Sequence, residues 1–239
     1  MRKNGFTLIE LSIVLVIIGL IVGGVLVGQD LIKAAQLRKV VTEVESYKTA
    51  VNAFRLKYNC FPGDCDNATT FFSGSTNGNG DKQILTVENY YFWEQLGLAG
   101  LIEGSYTGAQ GPIGVWDHVI GTNVPGSAVN GVGYWITYRA NNSGWGNYYN
   151  TFHGNHFTLA ADSGSSGPSY LYDPANSFTQ PDAFAIDSKV DDGKPATGAV
   201  MTNWAHNCTD SASSSDFTGD YRVNLDTKAC FMVFPRIFQ

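Results

Sequence analysis

The sequence predicts an α+β chain in which one long N-terminal helix carries a head domain built on an antiparallel sheet. Three observations lead there. An uninterrupted apolar run, Phe6 to Val27, opens the chain. Apolar residues then recur at three- and four-residue steps as far as Phe54, the period of a helix with one buried face. After Cys60 the sequence becomes rich in Gly, Ser and Asn, and short alternating stretches separate the turns.

Composition bounds the remaining choices. With 239 residues, 44% hydrophobic and 15% charged, the chain is neither a disordered tail nor a small disulfide knot. A mean hydropathy of -0.09 excludes a polytopic membrane protein. Charge is unevenly placed. Arg2 and Lys3 precede the apolar run, and residues 6–59 hold six basic residues against four acidic. Residues 60–239 carry 7 basic against 17 acidic, a net of -10 within the overall -6. Nucleic-acid binding needs a cationic footprint, so no nucleic-acid partner is expected for the head.

The apolar run Phe6–Val27 is 22 residues long, enough to cross a hydrocarbon core of about 30 Å at about 1.5 Å per residue. The basic pair before it should stay cytoplasmic, which places the rest of the chain outside. A secretory signal peptide would have a shorter apolar core and a small-x-small cleavage site; this run instead passes without a break into a helical pattern. Glu10 is out of place within it. An ionised carboxylate there costs at least about 3 kcal/mol unless a cation is supplied by another subunit or by a new amino terminus.

Gly5-Phe6-Thr7-Leu8-Ile9-Glu10-Leu11 resembles the cleavage and methylation signal of type IV prepilins and type II secretion pseudopilins. The resemblance rests on the basic leader, the Gly, the Phe, the Glu five positions into the mature chain, and the long apolar helix. It covers roughly the first fifth to quarter of the protein. It implies that residues 1–5 are a leader removed by a prepilin peptidase between Gly5 and Phe6. It also implies that Phe6 is N-methylated, and that Glu10 neutralises the Phe6 ammonium of an adjacent subunit as the chain leaves the bilayer. Many type IV pilins carry a Pro within the apolar half, and this chain has none before Pro62. Gly19, Gly23, Gly24 and Gly28 stand there instead, at spacings that suit close helix packing or local melting during assembly.

Residues 6–29 then form the membrane and filament-core half of the helix, and residues 30–59 its amphipathic half. In the latter Leu37, Val40, Val41, Val44, Tyr47, Val51 and Phe54 share one face. A continuous helix from Phe6 to Asn59 would be about 80 Å long. Residues 60–239 form a pilin-like head. Its four cysteines lie on the oxidising side of the membrane, where disulfides are expected. Proximity favours Cys60–Cys65 and Cys208–Cys230, out of three connectivities. The second pair resembles the C-terminal disulfide loop of type IV pilins.

Two acidic turns are candidate calcium sites, and calcium is the one cofactor considered. Asn77, Asn79, Asp81 and Glu88 fall at positions 1, 3, 5 and 12 of an EF-hand-like loop, with Ile84 at the apolar position 8. Asn77 replaces the usual Asp, and Lys82 stands where Gly is needed. An ordinary Gly/Asn-rich turn before a helix over 87–102 is the competing reading. Asp187, Asp191 and Asp192 form the second cluster, again against an ordinary Asp-Gly turn near Pro195.

Other constellations carry less. His153 and His156 have no acidic residue nearby, and Asp117-His118 has no nucleophile elbow to complete a triad. No phosphate loop or HExxH motif occurs, and no enzyme is expected. The aromatic stretch Trp145–Phe152 is a candidate adhesive or carbohydrate-binding surface, against core packing. Strands are expected at Tyr134–Tyr138, His156–Ala160 and Cys230–Phe234.

The chain is therefore expected to be a single-pass inner-membrane precursor with a periplasmic head, built into a type IV pilus through self-association and an inner-membrane assembly platform. Heterologous packing of identical helices gives an open filament. The large head suits a minor subunit, and Glu10 argues against a tip position. The alternatives are a type II secretion pseudopilin acting as a periplasmic piston, and an enzyme or lectin anchored on a borrowed stalk. The cysteine loop favours the pilus, whereas the acidic turns and the absence of the early Pro favour the pseudopilin.

Overall fold

The computed structural model describes residues 7–112, 117–140, 149, 153–162, 171–173, 177–204 and 207–237. Its first element, α1, runs from Leu8 to Tyr58 as one helix of 51 residues. Thr7 caps it, and Asn59 closes it in the left-handed conformation with its N–H on the Arg55 carbonyl. The two halves differ as their composition requires. From Leu8 to Val27 every large apolar side chain is between 50 and 90% exposed, whereas Val40, Val44, Val51 and Phe54 are buried. Leu37, Val41 and Tyr47 pack against the same core.

The head wraps this second half. A single turn, α2 (Ala68–Phe71), leads to α3 (Glu88–Leu98). The second helix ends four residues earlier than the 87–102 pattern predicts. Gly100 is left-handed at φ +67°, and the Gly100 and Leu101 N–H groups bond back to Gly97 and Leu96. This hydrogen-bonded Gly stop terminates a helix regardless of the apolar residues beyond it.

Strands β1 (Val132–Arg139), β2 (Gly154–Asp162) and β3 (Leu171–Asp173) follow, then β4 (Phe178–Thr179) and α4 (Gln180–Val190). The chain closes with β5 (Met201–Thr202), β6 (Lys228–Cys230) and β7 (Met232–Phe234). The main sheet is antiparallel in the order β1-β2-β7-β5, with β3 also on β2; β4 and β6 form a second, two-stranded sheet. The expected single strand Cys230–Phe234 is thus divided between two sheets, because Cys230 pairs with Phe178 while Met232 pairs with Leu159 and Thr202. Helix α3 and the stalk pack Trp93 and Tyr47 against Tyr134 and Phe157 of the sheet, with ring centroids 4.9–6.5 Å apart.

Candidate functional site

The exposed half of α1 is the most unusual surface of the molecule. It is apolar on all sides, long enough to cross a membrane, and unburied within its own chain. A patch of this size is not left in water by a soluble monomer. Glu10 closes a capping box at its start: its Oε2 accepts from the Thr7 N–H at 2.8 Å and the Thr7 hydroxyl at 2.7 Å, and its own N–H reaches Thr7 Oγ1. Gly5 and Phe6, the predicted cleavage and methylation positions, lie outside the described residues. Gly19, Gly23, Gly24 and Gly28 would meet nothing within 4 Å if given a Cβ, so within one chain they line an open surface.

Both expected disulfides form. Cys60–Cys65 closes the loop at the end of the stalk, and Cys208–Cys230 ties the C-terminal strands to the segment after β5. The first loop positions Asp64. Gly78 packs so closely that a Cβ there would lie 2.4 Å from Asp64 Cα and from the Gly63 carbonyl. The Gly78 and Gly80 N–H groups bond to the Cys65 and Asp64 carbonyls at 2.9 and 3.0 Å. Two loops far apart in sequence are thereby zipped together.

That packing corrects the EF-hand expectation. Asn77 does not take position 1; its Oδ1 accepts from the Thr69 N–H at 2.9 Å, turned toward α2. Asp64 joins Asp81 and Glu88 instead, and oxygens of the three carboxylates lie within 4.8 Å of one another. Asn79 brackets Asp81, accepting its N–H and donating Nδ2 to its Oδ2. Lys82, at the position where Gly was needed, adopts φ +67° itself and donates its N–H to Asp64 Oδ2 at 2.9 Å. Glu88 accepts from the Asn79 and Leu85 N–H groups at 3.1 Å. Burial raises the Asp64 and Glu88 carboxyls above the ordinary range, against these N–H bonds that favour the charged form. No local spacing pointed to Asp64; its only sequence signal was its place in a Pro-Gly-Asp turn between two cysteines.

Asp187, Asp191 and Asp192 also come together. Each already serves the turn. Asp187 accepts from the Gly193 N–H and from the Tyr221 hydroxyl at 2.8 Å, Asp191 from the Ala199 N–H, and Asp192 from the Lys194 N–H and the Thr197 hydroxyl. Burial pushes the Asp187 carboxyl up to about 7, offset in part by the Tyr221 and Gly193 bonds.

Of the remaining candidates, His118, His156 and Tyr149 are buried. His118 is buried between the Tyr90 and Trp135 rings, each centroid 5.3 Å away. His156 is buried in β2, where loss of water pushes its imidazole down to about 3, whereas His153 is exposed. Of the stretch Trp145–Phe152 only Tyr149 falls within the described residues. It is buried, with its hydroxyl 2.7 Å from Ser211 Oγ, and so presents no adhesive face.

Comparison with known proteins agrees with the N-terminal reading. The prokaryotic N-terminal methylation motif matches residues 1–26. The chain is 35% identical over 88 residues to the type IV major pilin protein PilE of Neisseria gonorrhoeae. That alignment covers 36% of this chain and 52% of the pilin, so the chain spans about half the length of the curated relative it matches. No solved structure matches. Through its N-terminal segment the chain is thus similar to proteins that carry the prokaryotic methylation motif and, over 88 residues, to a type IV major pilin.

Proposed function

We propose that the chain is a structural prepilin, cut after Gly5 by a prepilin peptidase, N-methylated at Phe6 and assembled into a type IV pilus filament. The observation that carries this reading is the half-helix Leu8–Val27, apolar and exposed on every side while the rest of the same helix is buried in the head. Such a surface is stable in two places, a bilayer and the core of a bundle of like helices. Assembly transfers it from the first to the second, through an inner-membrane platform. Glu10 then docks the amine of the neighbouring subunit. Its capping of Thr7 holds the carboxylate at the tip of the helix, where an incoming Phe6 ammonium can reach it.

N-terminal peptide mass spectrometry on sheared surface fibres and on membranes tests the reading. A chain beginning at methylated Phe6 in the fibres is the expected result. The same processed chain confined to membranes would point to a secretion pseudopilin or a scarce minor subunit. Met1 retained in both fractions would overturn both.

A further inference from the structure

We propose that Asp64, Asp81 and Glu88 bind one calcium ion, which clamps the disulfide loop at the end of the stalk to the start of α3. The proposal stands independently of the filament reading.

The three carboxylates reach one point from three segments: the Cys60–Cys65 loop, the Asn/Gly-rich loop and the first turn of α3. Their oxygens lie within 4.8 Å of one another, close enough for all three to reach one ion whose ligands sit about 2.4 Å away, as around calcium. Magnesium demands near-ideal octahedral geometry and sheds its waters reluctantly, so three converging protein carboxylates suit calcium better. All the donors are hard oxygens, which excludes a thiolate or imidazole type of site.

Three like charges converging in a half-buried place need compensation. Among the described residues no lysine, arginine or histidine forms an ion pair with any of them. Backbone and amide N–H groups among the described residues supply five hydrogen bonds, against about twelve acceptor positions on three carboxylates. The deficit is sharpest at Asp64. The residue is 3% exposed, and its buried Oδ1 has no hydrogen-bond partner among the described residues. An orphaned anionic oxygen of this kind costs several kcal/mol in order of magnitude unless a cation or proton meets it. The bound N–H groups also hold the carboxylates in place, so that the site is preorganised and the metal need not order it.

The test uses the full chain in detergent micelles, disulfides intact, stripped with EDTA and followed by thermal unfolding in CaCl2 or MgCl2 up to 10 mM. Affinity in the range of extracellular modules, about 0.1–1 mM, gives a saturable rise in Tm of roughly 3–8 °C. Calcium is expected to produce it and magnesium to produce less. Asp64→Asn and Asp81→Asn should each abolish the rise while leaving the Tm in EDTA unchanged or higher. Asp187→Asn, in the other acidic turn, should retain it in full. Absence of the rise in the wild type, its survival in Asp81→Asn, or an equal rise in magnesium would overturn the proposal. Asp81 is exposed, so this variant decides the matter even if Asp64→Asn fails to fold.

Discussion

The Tyr134 hydroxyl donates to Glu43 Oε2 at 2.7 Å, joining the stalk helix to the edge strand of the main sheet. Glu43 Oε2 also accepts the Ala128 N–H at 3.1 Å, so one stalk carboxylate gathers two separate parts of the head. Burial, and then the facing carboxylate, push the Tyr134 phenol well above its ordinary pKa, keeping it a donor. Tyr47 of the stalk packs edge-on against the same Tyr134 ring, with centroids 4.9 Å apart.

Tyr134→Phe and Glu43→Gln should each destabilise the full chain in micelles by about 1–2 kcal/mol. Because both act on the same bond, which Gln can keep only in a weaker, neutral form, the double variant should cost up to about 1 kcal/mol less than the sum of the two. Urea midpoints of the four proteins check this, and strict additivity would show that the bond adds nothing.

Backbone approach makes a second prediction. Gly63 and Gly74 have nearly the same φ, +84° and +87°, but a Cβ on Gly63 would sit 2.5 Å from the Glu88 carbonyl, whereas one on Gly74 would meet nothing within 4 Å. Gly74→Ala should therefore cost only the left-handed strain, about 1 kcal/mol. Gly63→Ala adds a backbone clash and should cost roughly 3 kcal/mol or more. Equal losses in thermal unfolding would count against the close packing of this loop.

The two disulfides should differ in weight. Cys208–Cys230 spans 22 residues and Cys60–Cys65 only 5, so the first restricts the unfolded chain more. Cys208→Ala with Cys230→Ala should lose about 3 kcal/mol, and the Cys60/Cys65 pair of substitutions less. Urea denaturation ranks them, and the reverse order would mean that the small loop owes its effect to the contacts it positions.

Asp187 supplies a pH dependence. Its folded carboxyl lies near 7, against an ordinary 3.8, so the folded state holds a proton that the unfolded state releases. This contribution is complete below about pH 4 and declines as pH rises through 7, by about 2 kcal/mol after allowing for solvent screening. Asp187→Asn mimics the protonated form and should flatten that slope. Parallel pH–stability curves for wild type and variant would refute the assignment.

How much of this was readable in advance follows from the range of the interactions involved. The anchor, the stalk and its buried face depend on neighbours three and four residues apart; of the seven predicted positions Val40, Val44, Val51 and Phe54 are buried, and Leu37, Val41 and Tyr47 pack partly buried against the same core. The acidic pocket depends on Gly78 lying against Asp64, a contact between separate loops that no local template contains. The EF-hand spacing accordingly included Asp81 and Glu88, which the fold brings together, but also Asn77, which is turned toward Thr69, and it did not include Asp64. The division of Cys230–Phe234 has the same origin, since alternation marks a strand without naming the partner that will pair with it. Periodicity and a cleavage motif act along the chain and can be read there. Which carboxylates share a pocket, and which sheet takes each strand, is settled by packing across the chain, where a missing Cβ counts as much as any side chain.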